Sequence, residues 1–96
     1  MITGGNAESE GGGIRVGNNA ILVAGNSDIR NNICIDEGAG IYNMGNLLLL
    51  NSGVAKNQKQ GINNTGSTIL INSTIYDNLR EGIRNFTASA GLINTR

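Results

Sequence analysis

Short apolar runs separated by Gly, Asn and Ser recur along this chain at a fixed spacing. Gly40-Ile41-Tyr42-Asn43-Met44-Gly45 is echoed by Gly61-Ile62-Asn63-Asn64-Thr65-Gly66, and Gly82-Ile83-Arg84-Asn85 opens the phrase again, each 21 residues on. Leu50-Asn51-Ser52-Gly53-Val54-Ala55-Lys56-Asn57 matches Ile71-Asn72-Ser73-Thr74-Ile75-Tyr76-Asp77-Asn78 at the same offset of 21. An earlier copy runs from Gly13-Ile14 to Gly25-Asn26-Ser27-Asp28-Ile29-Arg30-Asn31-Asn32 and is six residues longer, with two extra between Ile14 and Ile29 and four between Asn32 and Ile41. A unit this short cannot bury its own apolar face and must stack on the next, so the repeat dictates the architecture.

Within a unit the local period is that of strands. Thr68-Ile69-Leu70-Ile71-Asn72 is rich in β-branched residues and bounded by Gly-Ser and Asn-Ser, and no stretch combines helical periodicity with caps. Each unit then offers three short strands, near 61–64, 68–72 and 74–77, joined by Gly or Asn turns. Equivalent strands of successive units pair in parallel about 4.8 Å apart. The fold predicted is all-β, a parallel β-helix with about 21 residues per coil: three full coils and a partial fourth over residues 11–96, after an irregular lead-in of residues 1–10. Equivalent residues then lie above one another. Three apolar columns are expected to point inward: Ile29, Val54 and Ile75; Ile14, Ile41, Ile62 and Ile83; and Val23, Leu48 and Ile69. Two polar columns, Asn26, Asn51 and Asn72, and Asn32, Asn57 and Asn78, are expected to form structural ladders, since an amide can donate to one neighbour and accept from the other. Asn also tolerates the positive φ of a sharp corner.

Composition sharpens this reading. In 96 residues there are 15 Gly and 16 Asn, no Pro, Trp or His, and 39% hydrophobic residues, too turn-rich for an ordinary helical domain and too apolar for disorder. Seven basic and seven acidic residues leave no net field to draw the chain to nucleic acid. The longest purely apolar run, Leu47 to Leu50, is far short of the roughly 20 residues of a membrane helix, so no membrane insertion is expected. With no His and a single cysteine, His-dependent catalysis is excluded and no internal disulfide can form. Cys34, between two isoleucines, reads as a small buried hydrophobe.

The phrase Gly-Gly-Gly-Ile, then Asn-x-Gly, then Leu-x-x-Asn-Ser-x-Ile-x-x-Asn, over residues 11 to about 94, resembles the right-handed parallel β-helix repeats of bacterial surface and secreted proteins in the pectin-lyase-like superfamily. The resemblance implies a right-handed solenoid and a secreted or cell-surface setting. It implies no single activity, since polysaccharide lyases, glycoside hydrolases and adhesins share that fold. Val16 stands where later coils carry Asn, and the Phe-x-x-Asn motif of chlamydial surface repeats is absent.

Candidate chemistry gathers at the enlarged loop Ile33-Cys34-Ile35-Asp36-Glu37-Gly38-Ala39, because loops that protrude from a rigid solenoid carry contacts. Asp36 and Glu37 are expected to share a flank with Lys59, Arg80 and Glu81 of the coils above, a mixed cluster suited to a polysaccharide or cell-surface glycan. No cofactor is expected beyond a weak calcium ion, which takes about six to eight oxygens where this flank offers few. Gly11-Gly12-Gly13 is no phosphate loop, since neither Lys-Ser/Thr nor a helix follows. Asn63-Asn64-Thr65, Asn72-Ser73-Thr74 and Asn85-Phe86-Thr87 fit the glycosylation pattern, but their asparagines are explained by stacking. Neither end carries an evident polar cap, which points to a segment of a longer solenoid and to self-association through uncapped ends. The expected function is a non-catalytic structural or glycan-contacting module. The rivals are a piece of a lyase or hydrolase of the pectin-lyase-like type, and an interaction module that docks other β-edges.

Overall fold

Parallel strands one coil apart must be hydrogen-bonded neighbours if the repeat is a solenoid, and they are. A computed structural model describes residues 1–85 and 89–93. Among the described residues thirteen strands, numbered in chain order, form three stacked sheets and one extra pair. The first sheet stacks β2 (Ile14–Val16), β6 (Ile41–Asn43), β9 (Ile62–Asn64) and β12 (Ile83–Asn85). The second stacks β3 (Ile21–Gly25), β7 (Asn46–Leu50), β10 (Ser67–Ile71) and β13 (Ser89–Ile93). The third stacks β4 (Asp28–Arg30), β8 (Gly53–Ala55) and β11 (Thr74–Tyr76). Every pairing is parallel and in the register of the repeat, Ile41 on Ile62, Leu48 on Ile69, Val54 on Ile75. The molecule is a parallel β-solenoid of about three turns. Among the described residues no helix is long and apolar enough to cross a membrane.

Two of the expected apolar columns fill the core. Ile41 and Ile62, and Ile29 and Val54, are at most 1% exposed, with Ile14, Ile75 and Ile83 packed against them. The third column is corrected. Val23 and Ile69 are 58% and 44% exposed, and the second sheet turns Leu47, Leu49, Thr68 and Leu70 inward instead. Alternation along the strand makes this all or nothing, because a shift of one residue exchanges the two faces. The polar Thr68 is drawn inside because its hydroxyl accepts from Asn43 Nδ2 at 3.0 Å.

The asparagine ladders divide in two. Asn32, Asn57 and Asn78 form a stack in which Asn32 Nδ2 donates to Asn57 Oδ1 at 3.1 Å and Asn57 Nδ2 to Asn78 Oδ1 at 3.0 Å. The same oxygens accept from the backbone N–H groups of Asn32 and Asn57, at 3.0 and 3.1 Å. Asn26, Asn51 and Asn72 instead lie exposed, at φ of 51°, 51° and 50°. Their role is the left-handed corner, and the expected amide stack is replaced there by their neighbours: Ser52 Oγ accepts from Ser27 N at 3.1 Å, and Ser73 Oγ from Ser52 N at 3.2 Å. A second left-handed corner follows the third sheet at Asn31, Lys56 and Asp77. A further ladder, beyond the two expected columns, runs through the first sheet, where Asn43 Nδ2 donates to Asn64 Oδ1 at 2.9 Å and Asn64 Nδ2 to Asn85 Oδ1 at 2.8 Å. Val16 closes that column, 4% exposed.

Gly40 and Gly61 make room for the buried stack. A Cβ on Gly40 would lie 2.8 Å from Asn57 Nδ2, and one on Gly61 2.6 Å from Asn78 Nδ2. Residues 1–10 are not irregular throughout. Ile2 bridges to Ile29, and β1 (Asn6–Ala7) pairs with β5 (Ile33–Cys34), so the lead-in lies along the first coil as part of a preceding turn. Gly5 N even donates to Asn32 Oδ1 at 2.9 Å, the bond that Asn32 N makes to Asn57.

The two kinds of Asn position lead to opposite expectations. Asn57→Leu strips partners from Asn32 and Asn78 in the core and should lower stability by about 2–4 kcal/mol. Lys56→Asn relieves a left-handed strain that only Gly and Asn bear readily, and should raise stability by about 0.5–1 kcal/mol. Urea denaturation midpoints measure both.

Candidate functional site

The enlarged loop does not protrude freely. Its four added residues seat the N-terminal segment: Ile35 N donates to Ala7 O at 3.2 Å, Asp36 N to Ser9 O at 3.0 Å, and Gly11 N to Glu37 O at 3.2 Å. Asp36 is exposed and accepts from Ser9 Oγ at 3.2 Å, turned toward the lead-in. Glu37, its neighbour, reaches the other way, and its Oε1 accepts from Arg84 Nη1 at 3.0 Å across two coils. Lys59 is half-buried, while Arg80 and Glu81 are exposed. These three continue the coil backbone, with Arg80 N donating to Lys59 O at 3.2 Å and Gly61 N to Glu81 O at 3.1 Å. Of the five expected residues, Asp36 is thus held on Ser9 and Glu37 on Arg84. Among the described residues no three acidic or cysteine side chains are gathered where a metal ion could be held.

Glu37 belongs instead to a cleft of about 190 Å³ lined by Tyr42, Asn63, Thr65 and Arg84. Tyr42, Asn63 and Arg84 are the outward residues of β6, β9 and β12 and lie one above another in register. Their inward neighbours Ile41, Ile62, Asn43 and Asn64 are 0% exposed, so the cleft floor is anchored in the core. Thr65 is fixed by its hydroxyl, which donates to Asn43 O at 3.2 Å. Glu37 Oε2 and Gln60 Nε2 are buried atoms without a hydrogen-bond partner, although Gln60 Oε1 accepts from Gly38 N at 3.0 Å. The Glu37–Arg84 pair is about one-third exposed on either side, so solvent screens it and it adds little to stability. Its effect is positional, holding a carboxylate and a guanidinium in the cleft that Tyr42 also lines.

Sequence reasoning assigned Tyr42, Asn63, Thr65 and Arg84 to no site and explained Asn63 by stacking, whereas Asn63 lines the cleft from the outward row of β9. A signal was present: in the phrase Ile-x-Asn the flanking residues repeat while the middle one changes from Tyr42 to Asn63 to Arg84. On a solenoid, the position that varies between invariant inward neighbours is the one facing out. Cys34, within the loop, is turned inward and 3% exposed. Burial pushes its thiol above the ordinary value, with Glu37 and Asp36 adding to the rise, and the Lys59 ammonium and a Gly12 backbone hydrogen bond opposing it.

In comparisons with protein-family models, with curated proteins and with solved structures, this chain matches none. The class defined by fold and geometry is that of a parallel β-solenoid with an outward polar cleft on its first sheet.

Because Cys34 is buried and held as a neutral thiol, its reaction with a soluble disulfide reagent near neutral pH should be slower in the folded chain than in urea, by on the order of 100-fold. The thiolate fraction grows with pH, so the folded-state rate should keep climbing beyond the pH at which the unfolded thiol has already ionised. Release of the coloured thiol against time, at several pH values, measures this.

Proposed function

We propose that this chain is a non-catalytic glycan-contacting module, built as a β-helix of the kind found in the pectin-lyase-like superfamily, in a secreted or cell-surface protein. The observation that carries the reading is the cross-coil Glu37–Arg84 pair beside Tyr42 on the first sheet. A sugar ring presents an apolar C–H face and a rim of hydroxyls. The cleft presents an aromatic ring for the first and amide, hydroxyl, carboxylate and guanidinium groups for the second. The backbone beneath these side chains is paired to other coils, so little ordering entropy is lost when a ligand settles.

The non-catalytic reading rests on the same residues. Of the cleft-lining groups only Glu37 is a carboxylate, and its Oε1 is engaged by Arg84. Glycoside hydrolysis takes two carboxyl groups across the scissile bond, and elimination takes a free base against a neutralised uronic acid. The superfamily resemblance supports the secreted or surface setting.

Affinity electrophoresis through gels containing polygalacturonate or a neutral β-glucan tests the reading. Retardation by at least one polymer is expected, with Tyr42→Ala weakening it about 5-fold, the loss of one aromatic contact worth about 1 kcal/mol. Unretarded migration through both would refute glycan contact. No cleavage of polygalacturonate is expected, with or without calcium. An ultraviolet-absorbing unsaturated product, abolished in Arg84→Ala, would establish the enzyme instead.

A further inference from the structure

The outward row of the first sheet continues below the cleft. Arg15 on β2 lies in register beneath Tyr42, so the row reads Arg15, Tyr42, Asn63 and Arg84, rising about 4.8 Å per coil. Both of its cations are matched by carboxylates brought from other segments. Arg84 Nη1 donates to Glu37 Oε1 at 3.0 Å, and Arg15 Nη2 lies 3.9 Å from Glu10 Oε1. With these partners the row is polar and aromatic yet carries no net charge. Lys59 and Arg80 of the loop flank are not among the residues that line the cleft.

We propose that the cleft takes a neutral glycan and discriminates against polymers of uronic acids, an inference that rests on the glycan-contacting reading above. Two features point that way. The first is the direction of the hydrogen bonds. Thr65 gives its hydroxyl hydrogen to Asn43 O at 3.2 Å, so what it keeps for a ligand is an acceptor, and the Glu37 carboxylate can only accept. A sugar hydroxyl supplies the hydrogen that both need, whereas a uronate carboxylate has none to give. The second feature is charge. A uronate drawn to Arg84 would set its carboxylate beside that of Glu37, opposing like charges. Taking Arg84 away from Glu37 is costlier still. Glu37 Oε2 is already buried without a partner, and loss of the donor to Oε1 would leave neither oxygen bonded among the described residues. A neutral sugar incurs neither cost, and Tyr42 still offers its ring to the C–H face.

Affinity electrophoresis of the full chain and its variants tests this, with each mobility referred to a polymer-free gel. The wild type should be retarded by a neutral β-glucan equally in about 20 mM and about 200 mM salt, because no ion pair to the ligand forms, and should pass polygalacturonate unretarded. Glu37→Gln removes the opposing carboxylate and leaves the Arg84 charge unmatched. Polygalacturonate should then retard the chain, with an apparent affinity at least about 3-fold above the wild-type limit. Asp77→Asn makes the same change of net charge at an exposed corner after the third sheet, and should still pass polygalacturonate unretarded. Wild-type retardation by polygalacturonate as strong as that by the β-glucan, or in place of it, overturns the selectivity and leaves glycan contact standing. So does a Glu37→Gln chain with unchanged far-ultraviolet circular dichroism that gains no polygalacturonate binding, or a gain that Asp77→Asn shares. Unretarded wild-type migration through both gels refutes glycan contact and the selectivity with it.

Discussion

Every coil sits in register on the one before it, and a side chain that turns inward finds its own equivalent above and below. Aliphatic residues satisfy that rule simply by packing. A polar residue satisfies it only if it is donor and acceptor at once, and Asn does so at the length that spans the coil spacing. The stacks of Asn32, Asn57 and Asn78 and of Asn43 and Asn64 with Asn85 are thus the points on which coil geometry depends. The glycine positions follow from them, since the amides of Asn57 and Asn78 occupy the space a side chain at Gly40 or Gly61 would need. The buried Thr68 follows too, as an extra acceptor for Asn43.

Much of this was legible because a repeat leaves each requirement written several times. The Ile14, Ile41, Ile62 and Ile83 column and the Asn32 stack could be read from spacing alone. What could not be read was the facing of the second sheet. Leu47 to Leu50 are all apolar, so β7 carries little alternation to interpret, and in β10 the polar Ser67 and Thr68 are adjacent and so on opposite faces, with Thr68 turned inward for a reason that lies on another sheet. The misplaced Val23, Leu48 and Ile69 column and the overlooked Asn43 stack are one error seen from two sides. The site was less legible still. Asp36 and Glu37 are adjacent in sequence, yet the strand-like path of the loop sends one to Ser9 and the other to Arg84.

The solenoid separates the positions that hold its coils together from those that face outward. Inward positions are constrained by the coils on both sides. Outward positions of the first sheet are free to differ from coil to coil, and they hold Tyr42, Asn63 and Arg84 on a floor that is fully buried. The four residues added to the first coil likewise leave its core columns in register, and their backbone is occupied in holding residues 7–11.

Both asparagine stacks also share a direction: in each, the amide nitrogen of one coil gives its hydrogen to the oxygen of the coil that follows in sequence. The carboxamide dipoles are therefore aligned along the solenoid axis and polarise one another. The axis is a vector, not merely a line. Coils joined head to tail would extend that vector, whereas coils brought head to head would set amide oxygen against amide oxygen. The stack thereby carries a sense of growth in the chemistry of a single side chain.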